Sequence, residues 1–392
     1  MEKVFIISAK RTPQGSFGGV LSPLTAVQLG TVAIEAAIET SGVSAAAVQE
    51  VFMGNVCQAN LGQAPARQAA LAAGIPDRVP ATTVNKVCAS GMKALMLGAQ
   101  SIQLGINDVV VCGGMESMSN VPYYAPNLRW GSKYGDVTFV DGLAKDGLSD
   151  AFDQVAMGVF ADSVSKQEGI SREDQDDYAI QSYKRAQRAT ESGAFASEIA
   201  PVKVPQRIGD PLVVNEDEEY KKVNFEKIPK LRPAFGAAGT ATAANASTIN
   251  DGAAALVLAG ESYVEKMGLQ PLARLIDYSD AALAPQRFTL APIEAAQKLM
   301  HQQRKKASEI DLFEVNEAFA MVPLAFVNAC GISQDVINIH GGGVSLGHPI
   351  GVSGARIVTT LIHTLHHKKR QTGLAAICNG GGGASALMLE RL

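Results

Sequence analysis

The sequence has few of the features that mark secreted, membrane-spanning or nucleic-acid-binding proteins. Its 392 residues include only five cysteines, an odd number spread along the chain, which argues against a disulfide framework and suits a reducing compartment. No apolar run approaches the length of a transmembrane helix without glycine or polar interruption. The 34 lysines and arginines are outnumbered by 38 acidic residues, so we expect no nucleic-acid partner.

The ends of the chain lack recognisable address signals. The opening "MEKVFIISAKRTP" is typical of a strand and a turn, and we expect no signal peptide. The closing "MLERL" carries no peroxisomal or retention motif. We therefore expect a cytoplasmic protein, with the mitochondrial matrix as the alternative if a presequence has been removed. A content of 47% hydrophobic and 18% charged residues is typical of a globular protein, and the length favours two or three domains.

Three pairs of segments repeat in the same order and at nearly the same separation, which indicates two homologous halves. The pairs are "VQEVFMGNV" with "EIDLFEVNE" (48–56 with 309–317), "CASGMKALML" with "GVSGARIVTT" (88–97 with 351–360), and "VVVCGG" with "AAICNGG" (109–114 with 375–381). In each half strands alternate with helices, which predicts βαβ units and mostly parallel sheets. The repeated helices are apolar on nearly all sides, so we expect them to be buried between two sheets in a layered α/β fold.

A long polar segment interrupts the first half. In the second half the strand "AAICN" is followed at once by a glycine-rich turn and the strand "ASALMLE", but the equivalent first-half strand, "NDGAAALVLAG", comes much later. We therefore predict an N-terminal half (1–118 plus 249–270), an inserted loop domain (119–248) and a C-terminal half (271–392). A polar insertion of this size suggests a lid or binding subdomain beside a rigid core.

Cys88 is predicted to begin one of the two buried helices and is the first candidate for chemistry. A thiolate at a helix N-terminus is favoured by the free N–H groups and the helix dipole. Free cysteines are also among the residues most often buried for packing alone, so this position leaves both interpretations open.

The second half supplies further candidates near the equivalent helix. His348 lies in the glycine- and proline-framed loop "GGGVSLGHPIG", and the twofold repeat predicts that this loop approaches the Cys88 helix. Cys378 and Gly380 end an apolar strand, where catalytic groups of α/β folds gather and where glycine lets backbone N–H groups approach a ligand. Asn316 also ends a strand and could donate to an oxyanion, although a helix cap would explain it equally well.

Together, "NKVCASGMKA", "NEAFA", "GHPIGVSGARI" and "CNGGGGASALMLE" resemble the signature blocks of the thiolases. "GGMESMSNVPY" and "GTATAANASTINDGAA" are similar to further stretches of that family, so the resemblance runs from Val4 to Leu392 and looks nearest to the biosynthetic, short-chain branch of eukaryotic type. It implies the thiolase fold: two pseudo-twofold halves in five αβαβα layers, with an inserted loop domain. It also implies reversible Claisen condensation of two acetyl-CoA to acetoacetyl-CoA and CoA by a ping-pong mechanism, in mevalonate and sterol synthesis.

The resemblance assigns roles to these residues. Cys88 would carry the acetyl group, with His348 accepting its proton. Cys378 would remove the α-proton of the second acetyl-CoA. His348 and a water held by Asn316 would stabilise the enolate, and the N–H groups of Cys88 and Gly380 would bind the acyl-enzyme carbonyl.

Coenzyme A, the substrate and product, and a K⁺ activator are the ligands that the resemblance implies. The residues expected to contact coenzyme A are Leu148, Met157, Tyr183, Lys222, Lys227, Phe235, Ser247 and Phe319. The residues expected at a K⁺ site are Tyr183, Ala243, Ala244, Ala246 and Val344. Without the family resemblance, Lys222 and Lys227 would be interpreted as ordinary surface charges. The aromatic loop at 121–135 resembles the segment that joins biosynthetic dimers into homotetramers, and a lid loop is the alternative.

The chain departs from the family pattern at three positions. Ala156 replaces a histidine that many biosynthetic members carry, His340 replaces asparagine or tyrosine, and Phe288 lacks the following proline of forms that accept 2-methyl-branched acyl groups. A degradative 3-ketoacyl-CoA thiolase would share the catalytic residues and differ only in its pocket. A non-catalytic thiolase-fold lipid carrier should have lost Cys88, His348 or Cys378, and a ketoacyl synthase should have histidine in place of Cys378.

Overall fold

The computed structural model describes residues 2–392, in which two similar sets of elements flank an insertion. The first set is β1 (Val4–Arg11), β2 (Gly15–Ser16), α1 (Ala26–Ser41), β3 (Glu50–Gly54), α2 (Pro65–Ala72), β4 (Ala81–Val84), α3 (Ser90–Gln103) and β5 (Val109–Ser117). The insertion holds β6 (Tyr123–Tyr124), β7 (Val140–Asp141), α4 (Met157–Gln167), α5 (Arg172–Glu191), β8 (Val202–Val204) and β9 (Leu212–Val214). The chain then returns to the core with β10 (Asn250–Gly260) and α6 (Glu261–Met267). The second set is β11 (Ala273–Ala282), α7 (Ala291–Gln302), β12 (Leu312–Val315), α8 (Met321–Cys330), α9 (Ser353–His367), β13 (Thr372–Asn379) and β14 (Gly383–Arg391).

Local sequence explains where the surface helices begin and end. Thr25 caps α1 by accepting from the Gln28 N–H, while Gln28 accepts from the Thr25 N–H, and Gly42 ends the helix with a φ of 70°. Ser171 and Asp174 form the same reciprocal cap on α5. α5 is polar and amphipathic, and it buries one stripe that includes Tyr178 and Tyr183.

One hydrogen-bonded sheet of strand order β12-β13-β14-β11-β1-β10-β5-β3-β4 carries both halves, and β2 pairs with β10. The halves join where Val4–Ile6 of β1 pair with Ala273–Leu275 of β11. Moving outward from this junction, β10, β5 and β3 of the first half occupy the places that β14, β13 and β12 take in the second. The repeat seen in the sequence is therefore a repeat of topology.

The prediction of mostly parallel sheets was wrong. Only β3–β4, β3–β5 and β12–β13 are parallel among the ladders of the main sheet, and the rest are antiparallel. The reason is that β14 follows β13 through a turn at Gly380–Gly382, and so short a connection can only reverse the strand. In the first half β10 returns from the insertion and takes the same antiparallel place beside β5.

The fold has five layers, because three layers of helices alternate with the two halves of the sheet. α1 and α2 cover the outer face of the first half, and α7 and α8 cover the outer face of the second. α3 and α9 pack against each other in the middle, in a core that includes Met92, Leu95, Ala355 and Val358. The predicted five-layered arrangement with buried central helices is confirmed. None of the helices in residues 2–392 is both long and apolar enough to cross a membrane.

The repeated Ser-Gly pairs mark the crossing of the two central helices. A side chain at Gly91 would lie 2.8 Å from the backbone nitrogen of Ala355, and one at Gly354 would lie 2.5 Å from that of Met92. Both distances are shorter than any side chain tolerates, so only glycine permits this approach. The crossing brings the segments that precede α3 and α9 together, and these segments carry Cys88 and His348.

Candidate active site

Cys88 lies in a tight turn just ahead of α3. The helix itself begins at Ser90, two residues later than the sequence pattern suggested. Val87 has a φ of 48°, a left-handed conformation that is unfavourable for a β-branched residue. The turn is held locally, because the Val87 N–H donates to Asn85 Oδ1 at 2.9 Å and the Ser90 hydroxyl donates to the Val87 carbonyl at 2.6 Å. This backbone aims Cys88 into a cavity.

The environment of Cys88 keeps its thiol protonated at neutral pH. Burial raises the pKa of Cys88 to about 11, although the backbone N–H groups of Gly380 and of Cys88 itself face the sulfur and favour the thiolate. A thiol of this kind becomes a nucleophile only when a base takes its proton. The two N–H groups also form a ready donor pair for an oxygen bound beside the sulfur.

His348 is the base that the structure offers. Burial, with a smaller contribution from the Arg356 cation, lowers the pKa of His348 to about 3, so its ring is neutral at pH 7. Nδ1 lies 2.5 Å from the Ser353 hydroxyl oxygen, and that hydroxyl donates to the Pro349 carbonyl at 3.0 Å. Because the serine proton is already committed, Nδ1 must carry the ring hydrogen and donate it to Ser353. Nε2 therefore keeps a free lone pair for accepting a proton.

Contacts with Asn250 fix the loop around His348. The His348 N–H donates to Asn250 Oδ1 at 2.9 Å. Gly347 has a φ of 110°, and a side chain there would lie 2.4 Å from the Asn250 side chain. The glycine that precedes His348 is thus required both by its backbone conformation and by the space available.

Asn316 and Cys378 complete the group from the second half. Asn316 follows β12, and its Nδ2 lies 3.4 Å from His348 Nε2. Its Oδ1 is buried and has no hydrogen-bond partner among residues 2–392. Cys378 is fully buried near the end of β13, and burial together with the nearby Cys88 raises the pKa of its thiol. The two cysteines come from opposite halves of the repeat, and Cys88 lies close enough to raise the pKa of Cys378.

A cavity of about 920 Å³ opens onto Cys88, His348 and Gly380. Five of the residues predicted to contact coenzyme A line it: Leu148, Met157, Phe235, Ser247 and Phe319. Its wall is mainly apolar, and Phe235 and Phe288 each meet the ring of Phe319 edge-on. The inserted loop domain contributes the segment at 144–158, so a long flexible ligand could run from the thiols toward the insertion.

The other three residues predicted to contact coenzyme A lie outside this cavity. Lys222 forms an ion pair with Glu218 at 2.9 Å, and Lys227 lies on a short 3₁₀ helix at Phe225–Lys230. Tyr183 is buried on α5 beside Val344 and Leu346. None of these three residues lines the cavity, and their role stays a prediction.

The segments predicted to hold K⁺ are brought near one another. Tyr183 and Val344 share one hydrophobic cluster, and Asn245, in the loop of Ala243, Ala244 and Ala246, donates to Asp176 on α5 at 2.8 Å. No group of three or more His, Cys, Asp or Glu side chains in residues 2–392 could hold a metal ion. A cation here would therefore rely on carbonyl and hydroxyl oxygens, which is the donor set that the prediction assumed.

The departures from the family pattern fall in different places. Ala156 and Phe288 line the cavity, so the small side chain at 156 widens it near Met157. His340 does not reach the cavity. Its ring packs edge-on against Phe195 at 6.0 Å and borders a separate surface groove with Arg188 and Lys368.

The residues that position His348 were missed in the sequence analysis. Ser353 and Asn250 were quoted only as parts of a repeat and of a strand, although a serine five positions after a histidine across a helix start is a usable signal. Two buried carboxylates were also missed. Glu116 accepts from the N–H groups of Val56, Cys57 and Gly351, and Glu317 accepts from Tyr178, Ser182 and Val344. Both hold the loops of the site in place.

The raised pKa of Cys88 predicts a simple pH dependence. Because the thiol loses its proton as the pH rises toward about 11, alkylation of Cys88 by iodoacetamide should accelerate continuously from pH 7 to pH 10. A neutral His348 adds no step near pH 6.5, since its pKa is about 3. The rate is measured on the protein alone, with modification of Cys88 followed by peptide mass spectrometry. A plateau reached below pH 8 would contradict this, because it would indicate a resting thiolate–imidazolium pair.

Comparison with known proteins assigns this architecture to a family. The family models described as "Thiolase, N-terminal domain" and "Thiolase, C-terminal domain" match residues 4–262 and 269–391. "Acetyl-CoA acetyltransferase ERG10, cytosolic" of Gibberella zeae is 52% identical over 390 residues, which cover 99% of this chain and 98% of that protein. "Acetyl-CoA acetyltransferase, mitochondrial" of Mus musculus is 51% identical over 393 residues, which cover 100% of this chain and 92% of that protein.

Solved structures agree with the sequence comparison. The crystal structure of Acat5 thiolase from Ascaris suum in complex with coenzyme A has a TM-score of 0.95 at 46% identity, with 100% of both chains covered. The crystal structure of the Bacillus anthracis acetyl-CoA acetyltransferase has a TM-score of 0.97 at 40% identity and covers 100% of this chain and 99% of that one. The resemblance noted in the sequence is confirmed, and this chain belongs to the thiolase family of acyltransferases.

Proposed function

We propose that the protein is an acetyl-CoA C-acetyltransferase that condenses two acetyl-CoA to acetoacetyl-CoA and CoA, reversibly and by a ping-pong mechanism. The observation that carries the proposal is the convergence of two thiols with a neutral, oriented histidine beside one cavity. The likeness to proteins named acetyl-CoA acetyltransferase, and to a thiolase solved with coenzyme A, supports the choice of substrate.

In the first half-reaction Cys88 attacks the carbonyl carbon of acetyl-CoA. His348 Nε2 takes the thiol proton and passes it to the sulfur of coenzyme A, which leaves as the thiol. A carbon–sulfur bond to Cys88 forms and the one to coenzyme A breaks. The N–H groups of Cys88 and Gly380, which already face the Cys88 sulfur, receive the negative oxygen of the intermediate.

In the second half-reaction His348 Nε2 takes the proton of the Cys378 thiol, and the Cys378 thiolate then removes an α-proton from a second acetyl-CoA. The resulting carbanion attacks the acetyl carbon on Cys88, so a carbon–carbon bond forms and the Cys88 carbon–sulfur bond breaks. The proton on His348 then passes to the Cys88 thiolate and Cys378 keeps the α-proton, which restores two protonated thiols and a neutral histidine. The Nε2–H of protonated His348 and a water held by Asn316 would donate to the enolate oxygen, and the 3.4 Å distance between His348 Nε2 and Asn316 Nδ2 supports this arrangement.

We assign Leu148, Met157, Phe235, Ser247 and Phe319 to the pantetheine path, on the support of the cavity that they line. Tyr183, Lys222 and Lys227 remain proposed for the nucleotide end. Release of Lys222 from Glu218 would be needed before it could meet a phosphate. A K⁺ held by Tyr183 and the backbone oxygens of Ala243, Ala244, Ala246 and Val344 would stiffen the loop at 243–247 that carries Ser247. With the predicted domain bounds, this loop lies at the C-terminal end of the inserted loop domain (119–248).

We further propose a homotetramer built as a dimer of dimers. The loop at 121–135 supports this, since Tyr123, Trp130 and Tyr134 expose most of their side chains and such aromatics favour interfaces. Mevalonate and sterol synthesis in the cytoplasm is the proposed setting. The mitochondrial matrix is the alternative, because the relatives include both a cytosolic and a mitochondrial protein.

A degradative 3-ketoacyl-CoA thiolase is the second candidate, and the apolar wall of the cavity is the observation in its favour. The decisive measurement is thiolysis of acetoacetyl-CoA against a long-chain 3-ketoacyl-CoA by the purified protein, in buffers with K⁺ or with Na⁺ only. We expect acetoacetyl-CoA to be preferred at least about tenfold in kcat/KM, the discrimination that a few methylenes allow, and we expect K⁺ to raise its turnover.

Equal or faster turnover of the long chain would contradict the biosynthetic assignment and leave the Cys88–His348–Cys378 chemistry standing. Identical rates in K⁺ and Na⁺ would remove the ion site only. Turnover of neither substrate would favour the lipid carrier.

A further inference from the structure

A cluster of polar side chains behind Cys88 ties the two halves of the fold together. We propose that Lys86 is a positioning residue, which clamps the Cys88 turn to the strands of the second half and so sets the geometry between Cys88 and Cys378. This role rests on the proposed function for its effect on turnover, but its effect on the reactivity of Cys88 does not.

The clamp consists of three hydrogen bonds from one ammonium group. Lys86 Nζ donates to Asp280 Oδ1, to the Ser385 hydroxyl at 2.8 Å and to the Ala384 carbonyl at 3.1 Å. The Ser385 hydroxyl in turn donates to Asp280 Oδ1 at 2.6 Å, so every partner is satisfied. Asp280 lies on β11 and the other two lie on β14, whereas Lys86 belongs to the first half.

The clamp reaches each cysteine by a very short path. Lys86 lies two residues before Cys88 in the chain, and Ala384 is the residue paired with Cys378 across the β13–β14 ladder. Gly380, whose N–H faces the Cys88 sulfur, lies in the turn of the same hairpin. A shift of Lys86 relative to β14 would therefore change both the spacing of the thiols and the donor from Gly380.

The backbone of the Cys88 turn is strained at Val87, so contacts from the rest of the protein are needed to hold it. Val87, between Lys86 and Cys88, holds a φ of 48°, and a β-branched residue in that region persists only where its surroundings enforce it. The hydrogen bonds from Ser90 and to Asn85 enforce the turn from within the first half. The Lys86 side chain fastens this turn to strands β11 and β14 of the second half.

The electrostatics favour a role in geometry over a role in charge. Burial by itself would raise the pKa of Asp280. Hydrogen bonds from Lys86, Lys93 and Ser385 outweigh this effect and lower that pKa to about 2, so the carboxylate is ionised near neutral pH. The Lys86 cation is thus neutralised by its partner. It is also absent from the groups that shift the pKa of Cys88, which are burial, two backbone N–H groups and Glu116.

The chain offers a matched control. Lys93 Nζ donates to the other oxygen of the same carboxylate, Asp280 Oδ2, at 2.8 Å, and is exposed to the same extent as Lys86. Lys93 lies inside α3, however, and its side chain makes no bond to β14 among residues 2–392. Lys86→Met and Lys93→Met each remove one ion pair to Asp280, and only the first releases the Cys88 turn from β14.

The experiment compares kcat and KM for acetoacetyl-CoA thiolysis, and the rate of Cys88 alkylation by iodoacetamide, in the wild type and both variants. A misplacement of about 1 Å can cost about a hundredfold, so we expect Lys86→Met to lower kcat at least about tenfold with KM unchanged within about twofold. Alkylation of Cys88 should slow in the same variant. Lys93→Met should match the wild type in all three quantities.

Wild-type values for Lys86→Met in kcat and alkylation would overturn the proposal, and so would equal losses in both lysine variants. If Lys86→Met does not fold, Ser385→Ala is measured in its place. We expect this variant to lose about threefold in kcat with KM unchanged. Wild-type kcat in Ser385→Ala would contradict the clamp. If the wild type itself does not turn over acetoacetyl-CoA, the proposed function fails, and the alkylation rates still decide the role of Lys86.

Discussion

Replacing Cys88 with alanine should reduce both acetoacetyl-CoA thiolysis and acetyl-CoA condensation at least about 10⁴-fold, because no other group near the cavity can form the acyl-enzyme. Two other thiols, Cys378 and Cys57, lie near the cavity, but both side chains are buried and neither lines it. The variant should also fail to gain the mass of one acetyl group when incubated with acetyl-CoA. Intact-protein mass spectrometry and steady-state kinetics measure these two outcomes.

Cys330 provides the control for this substitution. It is a free, half-buried cysteine whose pKa burial also raises to about 11, but it lies at the end of α8 and does not line the cavity. Cys330→Ala should keep wild-type kinetics and acetylation. Acetylation of the Cys88→Ala protein, or residual turnover within about a hundredfold of the wild type, would show that Cys88 is not the nucleophile.

Replacing Cys378 with alanine should separate the two half-reactions. Removing a general acid–base group typically costs about 10²–10⁴-fold, and we expect condensation to fall by about 10³-fold. Acetylation of Cys88 by acetyl-CoA should survive, because His348 and the Gly380 N–H are untouched. The acetyl-enzyme should then accumulate, with a stoichiometric burst of free coenzyme A and no acetoacetyl-CoA.

The internal repeat supplies the matched control for Cys378. Cys112 occupies the equivalent place on β5, is also fully buried, and has its pKa raised by burial in the same direction. Cys112→Ala makes the same chemical change in the same kind of strand, away from the cavity. It should cost some stability and leave turnover intact. If both variants lose activity equally, or if Cys378→Ala cannot be acetylated, Cys378 does not act as the base of the second step.

Much of the fold was predictable because its evidence is local. Repeated apolar segments located the two central helices to within two residues, and short similar segments revealed the two halves. Strand direction could not be predicted from local sequence. β10 takes its antiparallel place beside β5 only after the whole insertion, so alternation of strands and helices along the chain misjudged the pairing.

The sequence by itself determined the family and the residue types that meet at the site, since Cys88, Asn316, His348 and Cys378 all lie in recognisable motifs. Only the tertiary structure decided how these groups are tuned. The Asn250 contact that holds the His348 loop, and the hydrogen bond from Lys86 to β14, join residues that are far apart in the chain, so no spacing pattern encodes them. The pKa values follow the same rule, because they depend on burial and on neighbours that folding brings from the opposite half of the chain.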